Sequence, residues 1–138
     1  MTAKEYLEYI RSLGVRIRME EQQIAWLRQD ICSIQALDYS KDRITGGRPL
    51  DVSDKIARLD ELIEKAYVDW DRFIDIRAEA RQLISELAST KQQEVLIRRY
   101  IRNERWEVIA AEMGITWQGT WQLFYRAMKN FQKIFKGG

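Results

Sequence analysis

The 138-residue chain has no histidine, one cysteine and one proline. Without His, the commonest general base and the commonest zinc ligand are missing, together with every Cys-His or Ser-His nucleophile arrangement. Cys32 has no second Cys with which to form an internal disulfide or share a metal, and it reads as a small apolar residue on a helix. One Pro and seven Gly leave little room for the turns that many short strands require, so an all-α fold is expected. No eighteen apolar residues run together, and the opening Met-Thr-Ala-Lys-Glu-Tyr is charged and lacks the apolar stretch of a secretory signal. A cytosolic protein with no membrane partner is the expectation. The Asp and Glu residues spread along helices as solvated charges do, and none forms a cluster with motif spacing. No catalytic residue, metal or cofactor is therefore expected, and the chain reads as a non-enzyme.

What is present is periodicity. Ala3, Ile10, Ile17, Ile24 and Ile31 recur every seven residues, and Tyr6, Leu13, Glu20, Leu27 and Ile34 do the same at the second position of the seam. Two residues interrupt the pattern. Gly14 is costly inside a helix, and Glu20 places a carboxylate where a large apolar side chain is expected. A second run, Val52 to Leu87, has Ile56, Ile63, Trp70, Arg77 and Ile84 at one position and Leu59, Ala66, Phe73, Ala80 and Leu87 at the other. Asp51, Ser53 and Asp54 are start signals for that helix. Between the runs, a loop of about 38–51 contains Gly46-Gly47-Arg48-Pro49, which stops helix on both sides. A long antiparallel helical hairpin follows, each arm roughly 50 Å long at about 1.5 Å per residue.

A two-helix hairpin buries little. Leu62, Tyr67, Ile74, Ile76 and Leu83, with Trp26 on the first helix, widen the apolar face beyond a simple pair. Either a second copy covers it, making a homodimer of four helices, or the C-terminal part of the chain folds back onto it. The division expected is a hairpin over 1–88, serving oligomerisation, and a second module over 89–138.

That second module carries an uneven share of charge: nine Lys or Arg against four Glu over 89–138, and fourteen against seventeen acids before it. The basic end is the one suited to a polyanion. Thr90-Lys91-Gln92-Gln93 reads as a capping box opening a helix from about Lys91 to Arg102, which Asn103 ends. A short helix from Arg105 to Met113 presents Trp106, Ile109, Ala110 and Met113 on one side. Gly114-Ile115-Thr116 then supplies a tight turn, a buried plug and a cap for a helix from Trp117 to about Phe135. A short helix fixed at a steep angle to a longer one by a Gly turn is the helix-turn-helix arrangement, which lets the second helix lie in the DNA major groove. Val95, Tyr100, Trp106, Ile109, Ala110, Met113, Ile115 and Ala127 are the expected module core.

Four segments carry a resemblance: Gln93-Glu94-Val95-Leu96 with Arg99-Tyr100, Trp106-Glu107-Val108-Ile109-Ala110, Met113-Gly114-Ile115-Thr116, and Tyr125-Arg126-Ala127-Met128-Lys129. Together, over about 45 residues, they closely resemble region 4 of sigma-70-type transcription factors. With a helical hairpin in front, the chain looks most like the sigma region 4-like regulators of Gram-positive phages and prophages. The resemblance implies binding to double-stranded DNA and a role in phage transcription in the bacterial host cytoplasm, with RNA polymerase as a further partner. Gln122 matches a position that reads bases in the family, and its amide suits adenine N6 and N7. Gln118 and Arg126 join it as base contacts, while Arg102, Arg105, Thr116 and Lys129 are expected on the DNA backbone. Where region 4 usually has basic residues early in the recognition helix, this chain has Trp117, Gly119 and Trp121. Trp117 and Trp121 are accordingly contacts to DNA or to a partner protein. Two other readings stay open: a helical interaction protein that docks on polymerase or another partner without reading DNA, and a DNA-packaging recognition subunit of the terminase small-subunit kind.

Overall fold

The computed structural model describes residues 1–40 and 52–137, and within them the fold is all-α. The helices are α1 (Ala3–Ser40), α2 (Ser53–Ile84), α3 (Thr90–Leu96), α4 (Trp106–Met113) and α5 (Trp117–Gly137), with a π-helical turn, Ile97–Ile101, continuing α3. None is long and apolar enough to cross a membrane. The expected reversing loop and the start signal Asp51 lie outside the described residues. α2 begins at Ser53 with Asp54 in its first turn, and Ile56 N donates to Val52 O at 2.9 Å.

The chain forms two compact units, and neither follows a division at residue 88. One comprises Met1–Val15 and Asp71–Gly138; the other is Arg16–Trp70. In the first, the seam residues Ala3, Tyr6, Ile10 and Leu13 are buried with Phe73, Ala80, Ile84 and Leu87. α5 folds against the start of α1 there: Ala3 N donates to Gln132 Oε1 at 3.0 Å, and the Tyr6 and Phe135 rings lie 5.0 Å apart. Phe135 is what the end of the long last helix offers, and the first turns of α1 are what it covers. The unit therefore joins the two ends of the chain.

In the second unit α1 and α2 run antiparallel, since Arg16 lies by Asp69 and the groove beside Asp30 is lined by Asp54 and Lys55. Ile17, Ile31 and Ala66 are buried, Ile24, Leu27, Ile34, Leu59 and Ile63 are half-buried, and Ile56 is exposed. Glu20 is buried in this seam, 6% exposed, and no hydrogen-bond donor reaches either of its oxygens. Burial and the neighbouring Asp69 carboxylate push its pKa up to about 7. Trp70 Nε1 donates to Glu21 Oε1 at 3.0 Å on the same stretch.

Gly14 has a physical reason. A Cβ there would lie 2.7 Å from Asn103 Nδ2 and 3.4 Å from the Phe73 ring, so the α1 backbone is bare where the 102–105 loop packs against it.

Candidate nucleic-acid interface

Each helix of the C-terminal segment is set by its own punctuation. The N-cap of α3 is Ser89, one residue before the expected Thr90: Ser89 has extended backbone (φ −92°, ψ 122°) and its hydroxyl accepts from Gln92 N at 3.3 Å. Gln93 does not close a capping box. Its amide donates backward to Leu87 O at 2.6 Å, tying off the carbonyls that follow α2. The helix expected to Arg102 widens into the π-turn, where Arg102 N donates to Ile97 O and Glu104 N to Arg98 O, both at 2.9 Å. Asn103 then takes the left-handed conformation at φ 55°.

α4 ends at Gly114, φ 67°, with Ile115 N donating to Ala110 O at 3.0 Å and Gly114 N to Ala111 O at 3.2 Å. This pair of bonds is a Schellman ending, which the left-handed glycine makes possible. Thr116 caps α5, its hydroxyl accepting from Gly119 N at 3.0 Å. The buried face of this segment comprises Val95, Leu96, Tyr100, Ile109, Phe124, Ala127 and Phe131. Trp106, Ala110, Met113 and Ile115, expected in the core, are half-buried. Ala110 lies one residue beyond Ile109, which points inward; Trp106 is held at the edge by other rings.

Those rings form one connected array. Trp106 stacks on Trp121 with centroids 5.3 Å apart and planes at 28°, and it meets Phe124 edge-on at 4.8 Å. The Arg99 guanidinium lies 4.5 Å from the Trp106 ring centroid, and Arg99 Nη1 donates to Glu104 O at 3.1 Å. Burial and the nearby Arg11 lower the Arg99 pKa. Trp117 meets Trp121 edge-on at 6.3 Å. Trp121 is thus a rigid plate, locked by Trp106 and Phe124, yet 46% exposed.

The solvent side of α5 carries two adjoining stripes. Trp117, Trp121 and Tyr125, spaced by four, are 51%, 46% and 70% exposed. Beside them run Gln118, Gln122, Arg126, Lys129, Lys133 and Lys136, all exposed, over about 27 Å of helix. α5 contains no Asp or Glu. Gln118, Trp121, Gln122, Tyr125 and Arg126 line one shallow groove. Tyr125 belongs to this surface although it is absent from the contacts expected above; the interval of four from Trp117 and Trp121 is the signal that marks it.

The basic residues before α4 have a different disposition. Glu104 takes Arg98 Nη1 at 2.9 Å and Arg102 Nε at 3.2 Å, and Arg98 Nε also reaches Glu94 at 2.8 Å. The two carboxylates hold the Arg98 guanidinium more firmly protonated than usual. Arg102, expected on a phosphate, therefore shares its charge with Glu104, although its side chain is 58% exposed. Arg105 is exposed and makes no ion pair among the described residues. The structure thus brings Gln118, Gln122, Arg126 and Lys129 together on one face with Trp117 and Trp121. No protein-family model, curated protein or solved structure matches the chain.

Proposed function

We propose that this chain is a double-stranded DNA-binding transcription regulator of the phage or prophage type, acting in the bacterial cytoplasm and not as an enzyme. In this reading α4, the Gly114 turn and α5 form a helix-turn-helix, α5 enters the major groove, and α4 braces across the backbone. The observation that carries it is α5 itself: four cations, no acid, and two amides on one exposed stripe of a helix whose other side is buried. Arg105 and Thr116 at the start of α4 and α5 stand where backbone phosphates would be met. A pair of copies associating through the hairpin would present two such modules. Met19, Gln22, Trp26, Gln29 and Ser33 support that part, because they form an exposed stripe of α1 without a charged residue.

The exposed rings favour one competing reading, since Trp, Tyr and Arg are the residues on which protein interfaces concentrate binding energy. In it α5 docks on a protein such as RNA polymerase. Titration of the full chain with random duplex at rising salt separates the two. Duplex binding at low salt, with log affinity falling by about 0.9 per phosphate neutralised, supports the DNA reading. No duplex binding at low salt removes it in favour of a protein partner.

A further inference from the structure

The groove face of α5 has partners for only two of the four bases over its first two turns. From Trp117 to Tyr125 the exposed side chains are Trp117, Gln118, Trp121, Gln122 and Tyr125, with no Arg, Lys, Asp or Glu among them. Guanine is read in the major groove by Arg or Lys on O6 and N7, and cytosine by an acceptor for its N4 amino group. Neither kind of charged head is present until Arg126. A Gln amide carries a donor and an acceptor together, which is what adenine N7 and N6 require, and the apolar feature of the groove is the thymine methyl.

The rings make the second half of this argument. Trp121 is fixed by stacking on Trp106 and by Phe124 at its edge, so its outer surface cannot turn away from what docks there. With Tyr125 it walls the shallow groove that Gln118, Gln122 and Arg126 also line. Gln118 and Gln122 are one helical turn apart, about 6 Å along the axis, which matches roughly two base-pair steps. We infer that α5 selects A·T pairs in the major groove, with Gln118 and Gln122 on adenines, the Trp121 and Tyr125 rings against thymine methyls, and the Arg126 to Lys136 stripe supplying affinity without selection. This inference rests on the duplex-binding reading above.

The test uses the full chain and duplexes of equal length made of A·T pairs, of G·C pairs, and of A·U pairs in which uracil replaces thymine. The expected result is tighter binding to A·T than to G·C by about ten-fold or more at the same salt. Each ring-packed methyl that the A·U duplex lacks should weaken binding about four-fold. The uracil arm matters because it changes the major groove and leaves the minor groove as it was. Gln118→Ala/Gln122→Ala should weaken A·T binding and cut the preference over G·C to the part that the thymine methyls supply. Equal binding to all three duplexes overturns the inference and leaves duplex binding standing. An A·T preference that survives both the uracil change and the double substitution also overturns it, assigning selection to the minor groove. No binding to any duplex at low salt overturns the inference together with the reading beneath it.

Discussion

Gly14 on α1 and Asn103 in the loop before α4 occupy each other's space: a methyl on Gly14 would come within 2.7 Å of the Asn103 amide nitrogen. Asn103 is held at φ 55° and its Oδ1 is buried without a hydrogen-bond partner. The contact fastens the loop that precedes α4 to the α1 backbone, within one compact unit.

Gly14→Ala should therefore destabilise the protein by about 1 kcal/mol despite alanine's better helix propensity, because the added methyl overpacks the site. Asn103→Gly keeps the left-handed backbone and removes the obstacle. In that background Gly14→Ala should instead stabilise by up to about 1 kcal/mol, the ordinary gain of alanine over glycine inside a helix. Denaturant unfolding of the parent, both single variants and the double variant measures the reversal. The same sign for Gly14→Ala in both backgrounds would show that the two residues do not compete.

Glu20 makes the second unit sensitive to pH. Its folded-state pKa, raised by burial and by Asp69, lies near 7 against an ordinary value of 4.5. The charges facing it are Asp69 on α2, which raises it, and Lys65 and Arg16, which lower it. The folded form binds the proton more tightly than the unfolded form, so the stability that Glu20 contributes is fully present below about pH 4.5. It is lost as pH rises to about 7 and is level above that. The loss is at most about 3 kcal/mol. Glu20→Gln should flatten the dependence over this window and raise the melting temperature at pH 8. A parent whose stability is unchanged between pH 5 and pH 8, and no different in that respect from Glu20→Gln, would sink this account.

Much of this architecture is legible in the sequence because helices announce themselves locally. The left-handed Asn103 and Gly114 and the Thr116 cap all depend on neighbours within a turn, and each lies where the sequence places it. Long-range partners are not legible. Gln93 has the spacing of a capping box, yet its amide is captured by Leu87 O because α2 ends two turns earlier in the chain. The π-turn at Ile97–Ile101 inserts a residue's worth of rotation that no propensity records. Phe131 and Phe135 declare an apolar side for α5, but nothing in their spacing says that Phe135 meets Tyr6 of α1. In the candidate interface, Glu104 stands among Arg98, Arg99, Arg102 and Arg105 in the sequence, and only the fold shows that Arg98 and Arg102 are the ones whose charge it takes.

Self-association should depend on the uncharged stripe of α1. Met19→Glu/Trp26→Glu places two carboxylates on exposed positions, 57% accessible each, so folding of the chain itself should change little. In sedimentation velocity at micromolar concentration the parent is expected as a dimer and the variant as a monomer of unchanged helicity. A monomeric parent removes the hairpin dimer, and a variant as dimeric as the parent assigns the contact elsewhere.

The two ends of the interface should fail in different ways. Gln122 sits on the groove stripe and carries no charge, so Gln122→Ala should weaken a selected site by roughly 1 to 3 kcal/mol and leave random duplex nearly unaffected. Arg105 stands at the start of α4, exposed and without an ion pair among the described residues, so Arg105→Ala should lower affinity for every sequence and flatten the salt slope by about 0.9. Arg102→Ala provides the internal comparison. Its Nε lies 3.2 Å from Glu104, which already holds Arg98, so removing Arg102 frees acid as well as deleting a cation. If Arg102 meets a phosphate its loss equals that of Arg105; if it serves the loop, the salt slope stays as in the parent while thermal stability falls. Salt titrations of the three variants on a selected site and on random duplex separate these cases. Equal, sequence-blind losses from Gln122→Ala and Arg105→Ala would reduce α5 to a general electrostatic surface.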